Sequence, residues 1–199
     1  MPQPVTFDPD KVAHYEKSGW QAYYDRRWFK ALWLLVRLNR EGFRMSWPTA
    51  LAAALDTVRA SLAFAPLNND IPKARGHIEK FFEKARRSLE FKVEAGQLAE
   101  LEMNYWVIHR QLALRRIKNP ADDNIEPMVQ ALVALHAALF NVPPEQMRPS
   151  ARLRALAAKT VDEITGNRST DVAADWRRVE EYLRQAYRAV EAAKPAPKA

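Results

Sequence analysis

Hydrophobic residues recur along most of the chain at the three- and four-residue spacing of an amphipathic α-helix. The first such period begins at Asp8 and Pro9, a capping side chain followed by a residue suited to the first helical turn. It continues to Gly42, which is a typical helix end, and Gly19 marks a candidate bend inside it. The pattern therefore predicts either one long helix or two helices in sequence.

Six further helical segments follow, each bounded by Pro, Ser, Asn, Asp or Gly residues. They are predicted at roughly 46–65, 72–89, 93–117, 125–140, 150–165 and 171–190. The second and fifth helices are apolar on nearly all sides, which predicts that both lie at the buried centre of the fold. The stretch 141–149, NVPPEQMRP, is predicted to be a rigid connector before the sixth helix.

No window alternates between apolar and polar residues in the way of a half-buried strand, so no sheet is predicted. We expect an all-α protein, a single helical bundle of six to eight helices. The connections are short, which favours antiparallel neighbours. Residues 1–193 are expected to form one domain, and the Pro/Ala/Lys-rich tail 194–199 is expected to be disordered.

The composition excludes several kinds of chemistry. The chain of 199 residues has no cysteine, which rules out disulfides, thiolate zinc sites, iron–sulfur ligation and a cysteine nucleophile. The N-terminal residues lack the pattern of a signal peptide, and the apolar windows are too short to cross a bilayer core of ~30 Å. We therefore expect a cytoplasmic protein without a membrane partner.

Motifs for metals, nucleotides and serine nucleophiles are missing from the sequence. None of the four histidines follows a Glu by three residues, and H-E-x-x-H does not occur, so no metal ligand is assigned. The five glycines are isolated, which excludes phosphate-binding loops and a G-x-S-x-G elbow. No motif identifies a family, and the cofactor stays unknown.

The stretch ELEMNYWVIHR, residues 100–110, places an acid and a base on one side of a predicted helix. Glu102 and His109 are seven residues apart and therefore two turns apart on that side. They border an apolar seam of the same helix made by Leu98, Leu101, Tyr105, Ile108 and Leu112. Two interpretations stay open: an acid and a base in a pocket, or polar residues at the edge of a packed helix.

Arg59 is unusual because it lies on a helix that is predicted to be buried. An arginine keeps its charge, so burial requires a carboxylate partner or an anionic ligand. Asp56 is a local candidate for the partner, and Asp25 or Glu102 are more distant ones. The favoured account is a structural ion pair, and the alternative is a polar pocket that Arg59 lines together with Glu102, His109 and a tyrosine such as Tyr24. His136, in the apolar fifth helix, is expected to be a neutral core histidine bonded to a carbonyl or a carboxylate.

Three functions are compatible with these patterns. The first is a ligand-binding bundle whose pocket, between the first, second and fourth helices, takes a small anionic or amphipathic ligand. Its predicted lining is Tyr24, Arg59, Glu102, Tyr105 and His109. The second is an enzyme at the same place, with Glu102 or His109 as general base and Arg59 holding an anion; no catalytic residue is assigned.

The third function is an interaction module, either a homodimer or a binder of polyanions. Lys and Arg number 31 against 24 acids, a net charge of +7. Two segments combine several cations with few acids, 26–44 with interleaved aromatic residues and 110–118 with no acid. No helix-turn-helix, zinc-finger or RNA-binding signature accompanies them, so a nucleic acid is the less favoured partner.

Overall fold

The structure is a computed structural model, and it describes residues 6–194. The secondary-structure elements of this range are eight α-helices, which confirms the predicted all-α class. The helices are α1 Pro9–Tyr24, α2 Trp28–Phe43, α3 Trp47–Phe64, α4 Ile71–Ala85, α5 Ala95–Lys118, α6 Glu126–Phe140, α7 Pro144–Thr165 and α8 Val172–Ala193. None of the helices in this range is long and apolar enough to cross a membrane.

The chain divides into two compact units, Met1–Asn104 and Tyr105–Ala199. In the first unit α1 packs against α2, α2 against α3 and α3 against α4. In the second unit α6 packs against α7 and α7 against α8. A single domain over residues 1–193 stays a prediction. Of the predicted tail, only Lys194 belongs to the described residues; it bonds to the carboxylate of Glu191.

The first helical period is broken at Arg26 instead of at Gly19. Asp8 caps α1 as predicted, and Gly19 lies inside this helix. Arg26 adopts a left-handed conformation with φ 59°, and the N–H of Arg27 donates to the carbonyl of Ala22 at 2.8 Å. This hydrogen bond closes the helix end in the way that glycine usually permits. The expected bend at Gly19 was wrong because an arginine supplies the left-handed residue.

The predicted connector before the sixth helix is itself helical. Helix α7 begins at Pro144 and includes Pro149. A proline inside a helix removes one N–H, which leaves the carbonyl four residues earlier, that of Glu145, without its helical partner. Glu145 and Pro149 are both exposed, so the unpaired carbonyl lies in a region that solvent reaches. The predicted start of this helix at about residue 150 was therefore wrong.

Helix α3 packs through alanines, while its leucines face outward. Its buried residues are Ala50, Ala53, Ala54, Asp56, Ala60 and Phe64. Leu51, Leu55 and Leu62 are all exposed, with Leu62 at 68%. The expectation that α3 is buried on all sides was wrong, because small side chains bring neighbouring helices close on one side only. For α6 the expectation of burial is confirmed, since Met128, Val129 and Leu132 are fully buried.

Candidate functional site

One side of α2 carries four cations and a tryptophan. Spacings of three and four residues keep the first four on the same side of the helix, and the fifth is the C-terminal cap, which lines a depression together with Arg40. They are Lys30, Trp33, Arg37, Arg40 and Arg44, and together they are called the α2 face. The face belongs to the basic segment 26–44, whose cations and interleaved aromatic residues are compatible with polyanion binding.

Trp33 of the α2 face stacks on Trp47, the first residue of α3. The ring centroids are 5.2 Å apart and the rings are inclined by only 15°. Trp47 is held in place because Ser46 caps α3, with its hydroxyl accepting from the N–H of Thr49. Both indoles are about half exposed, at 51% and 45%. The two tryptophans therefore form a stacked aromatic surface that is exposed to solvent.

Two arginines of the α2 face lie against aromatic rings. The guanidinium carbon of Arg40 is 4.0 Å from the ring centroid of Trp47, a cation–π arrangement. Arg37 donates from Nη2 to the Tyr15 hydroxyl at 2.6 Å, and its guanidinium carbon lies 5.1 Å from the Tyr15 ring centroid. These contacts restrict both guanidinium groups while most of their N–H donors stay unused.

Neither Arg37 nor Arg40 has a carboxylate within 4.0 Å in the range 6–194. Other arginines of the chain differ in this respect; Arg86, for example, pairs with Glu94. A guanidinium group stays charged under all ordinary conditions, so its unused N–H groups donate hydrogen bonds to an anion or to water. Arg37 and Arg40 are thus available to an external anion.

Two surface depressions meet at Arg40. One has a volume of about 260 Å³ and is lined by Thr6, Phe7, Asp8, Arg40, Glu41 and Arg44. The other has about 380 Å³ and is lined by Arg37, Arg40, Glu41 and Trp47. The carboxylate of Glu41 is turned partly toward the N–H of Asp8, at 3.4 Å.

The residues of the predicted pocket fall in both units. Tyr24 ends α1, where it is about half exposed and meets Tyr23 edge to face at 5.2 Å. Arg59 pairs with Asp56 at 3.5 Å, as the sequence suggested. Its expected burial was wrong: the Arg59 side chain is 59% exposed and Asp56 is the buried partner, at 5%. The long arginine side chain reaches from the helix into solvent.

Glu102 lies in the first unit, whereas Tyr105 and His109 lie in the second. The structure brings Tyr105 and His109 together, since their rings stack at 5.8 Å with an inclination of 6°. His109 Nε2 is 3.1 Å from Asp162 Oδ1 on α7. Asp162 is thus the carboxylate beside His109 in this unit, and a common pocket of the five predicted residues stays a prediction.

Arg116 was missed as a site residue. It lies in the basic segment 110–118, and only 3% of its side chain is exposed. Its Nη2 donates to Asp162, while its Nε and Nη1 are buried with no hydrogen-bond partner among residues 6–194. The spacing from Glu102 to His109 and from His109 to Arg116 is seven residues in both cases. This regular spacing is the sequence signal that could have identified Arg116 as a site residue. Arg115 of the same segment also has a partner, Asp122, at 2.8 Å.

His136 is the neutral core histidine that the sequence predicted. It is buried, and its Nδ1 lies 3.1 Å from the hydroxyl oxygen of Ser150. Burial lowers the pKa of His136 to about 3, and the nearby charge of Arg154 acts in the same direction. The partner differs from the expectation, because it is a hydroxyl group and not a carbonyl or a carboxylate.

Neither a metal-binding cluster in the described residues nor a related protein indicates which reaction or ligand belongs to this chain. Across residues 6–194, no three His, Asp or Glu side chains are grouped in a way that would hold a metal ion. No protein-family model, no curated protein and no solved structure matches the chain. The function is therefore inferred from the residues themselves.

Proposed function

We propose that the protein is a binding module for a polyanionic partner, which it contacts through the α2 face and Trp47. The observation that carries this proposal is the state of Arg37 and Arg40. Both guanidinium groups lack a carboxylate partner in the described part of the chain, and both are held against aromatic rings. The two depressions beside Arg40 provide room for anionic groups.

Such an arrangement favours a partner with several negative charges. A single exposed ion pair contributes only about 0–1 kcal/mol, so useful affinity requires several cations acting together. The α2 face supplies three cations along the helix and a fourth at its C-terminal cap, and the chain as a whole carries +7. Guanidinium groups also bind phosphate and carboxylate oxygens through paired hydrogen bonds. We further propose a cytoplasmic location, which a chain without cysteine fits.

Retention on immobilised heparin, eluted with a salt gradient, tests this proposal. Arg40→Gln is expected to elute at clearly lower salt than the wild-type protein, because it removes an unpaired cation from the α2 face. Arg59→Gln is the matched control: it removes the same charge from the same unit, while Asp56 keeps Lys84 as its partner at 2.6 Å. Equal shifts for the two variants, or no retention of the wild type, would contradict the proposal.

A second candidate function is supported by the stacking of His109 on Tyr105 and its pairing with Asp162. A carboxylate that orients a histidine is a common element of general-base catalysis, and His109 remains partly exposed. A small-ligand site and an enzyme therefore stay as alternatives, now centred on Tyr105, His109 and Asp162 of the second unit. Native mass spectrometry of the gently purified protein tests them. A bound mass that disappears on denaturation and is missing from His109→Ala is expected, and a clean mass of the bare chain would count against both.

A further inference from the structure

Large apolar side chains are exposed beside the α2 face. Phe29 precedes Trp33 by four residues on α2 and is 93% exposed. On α3, Leu51 and Leu55 follow Trp47 by four and eight residues, and both are exposed. Because α2 and α3 pack together and Trp33 stacks on Trp47, the two rows meet at the tryptophan pair. The apolar strip is defined as Phe29, Trp33, Trp47, Leu51 and Leu55.

The turn that leads into α2 adds further cations next to the strip. Every residue from 23 to 30 is exposed. Arg26 and Arg27 are in this turn, and neither has a carboxylate partner in the range that the structure describes. The strip is therefore accompanied by cations along α2 and at its N-terminal end. Exposed surface of this kind, apolar with a charged border, usually marks an interaction site.

Three kinds of partner could bind the α2 face and the apolar strip, and the charges and side-chain types of this surface discriminate between them. A second copy of the same surface would bring the cations of both chains together, which is unfavourable. A single-stranded nucleic acid would contact the cations and the tryptophans, but it would not bury the exposed aliphatic leucines. An anionic bilayer would contact the cations, the tryptophans and the aliphatic and aromatic side chains of this surface. Lys and Arg bind phosphate headgroups, Trp prefers the interface, and Phe and Leu enter the boundary of the acyl chains.

We propose that the α2 face and the apolar strip together dock on the surface of an anionic phospholipid bilayer. The inference rests on the proposed function, because it names the polyanionic partner of the same surface. Docking at an interface needs no membrane-spanning segment. The predicted lack of a membrane partner follows from the missing signal-peptide pattern and the short apolar windows, and neither of these bears on docking at an interface.

Co-sedimentation with lipid vesicles tests the inference. The full chain is mixed with vesicles of phosphatidylcholine alone, or of equal parts phosphatidylcholine and phosphatidylglycerol. The wild-type protein is expected to sediment with the anionic vesicles only, and its tryptophan emission is expected to shift to shorter wavelength. Phe29→Ser is expected to weaken binding about tenfold or more, because it removes an inserted aromatic ring. Since Phe29 is 93% exposed, this change leaves the folded core untouched.

Leu67→Ser is the matched apolar control. Leu67 is 87% exposed, in the loop between α3 and α4, and it is not part of the strip. The control is expected to bind like the wild-type protein. Arg40→Gln is expected to weaken binding about fivefold at low salt, the effect of one cation near an anionic surface.

The outcomes separate the two proposals. Retention on heparin without binding to anionic vesicles would overturn the membrane inference and leave the polyanion proposal standing. Failure of the wild type on both heparin and vesicles would overturn both. Equal loss in Phe29→Ser and Leu67→Ser, or no loss in Phe29→Ser, would show that the apolar strip does not enter the bilayer. Displacement from anionic vesicles by an equal phosphate concentration of single-stranded oligonucleotide would favour a nucleic acid instead.

Discussion

Arg116 and Asp162 form an ion pair whose side chains are only 3% and 11% exposed. The two residues are separated by 46 positions in sequence and connect α5 with α7 inside the second unit. His109 is the other partner of the same carboxylate. One aspartate therefore accepts hydrogen bonds from two basic side chains of one helix.

Replacing Asp162 with Asn is expected to destabilise the protein by about 3–5 kcal/mol, because it leaves the buried charge of Arg116 without a counter-charge. Urea denaturation followed by circular dichroism measures this loss. Asp123→Asn is the control, since Asp123 pairs with Lys159 but is 80% exposed. Its effect is expected to be far smaller. Similar losses in both variants would show that burial does not determine the strength of the Arg116 pair.

Stability is expected to depend on pH through His136. Burial lowers the pKa of this histidine from 6.5 to about 3, so in this interval the unfolded chain binds a proton that the folded chain does not. The free energy of unfolding therefore falls as the pH decreases below 6.5, by at most about 1.4 kcal/mol per pH unit from this group. The contribution is fully present above the unfolded-state pKa.

Comparison with His136→Asn isolates this contribution. The carboxylates titrate in both proteins, so they largely cancel when denaturation curves at pH 7 and at about pH 5 are compared. The wild-type protein is expected to lose more stability between these pH values than the variant. Parallel losses would mean that His136 is protonated in the folded state or accessible to water.

Arg26→Gly is expected to raise the melting temperature while it weakens retention on heparin. Arg26 has φ 59°, a conformation that costs a residue with a Cβ about 1–2 kcal/mol. Glycine removes this cost but gains freedom in the unfolded chain, so the net stabilisation is expected to be below about 1 kcal/mol. The weaker retention follows from the loss of one cation beside the α2 face.

Asn167→Gly is the control for the backbone effect. Asn167 has φ 56°, and asparagine tolerates this region better than arginine does. Its gain in melting temperature is expected to be smaller. A lower melting temperature for Arg26→Gly would mean that the arginine side chain stabilises the turn by more than the backbone strain costs.

Much of the helical structure was predictable because its signals are local. The caps Asp8, Ser46 and Asp171 each accept a hydrogen bond from an N–H two or three residues later, and residues of these types mark helix starts in a sequence. The break at Arg26 was not predictable in this way. The end of α1 uses a left-handed arginine, and no local preference distinguishes this residue from its neighbours.

The candidate site was only partly predictable. The basic segment 26–44 and its aromatic residues were recognised, but the sequence did not show which of its cations lack a partner. Arg59 and Arg116 illustrate the difficulty, because the arginine on the helix that was expected to be buried is exposed, while an arginine of the basic segment 110–118 is buried.

Hydrophobic periodicity and capping depend on neighbours within one helical turn, and the sequence by itself therefore determined the all-α class and most helix boundaries. Which side of an apolar helix is buried depends on the helices that pack against it, so only the tertiary structure turned the alanines of α3 inward and its leucines outward. The charge of Arg116 is compensated by Asp162, a residue far away in sequence, and the stacking of Trp33 on Trp47 needs α2 and α3 side by side. These contacts join separate elements, and for that physical reason the tertiary structure alone decided them.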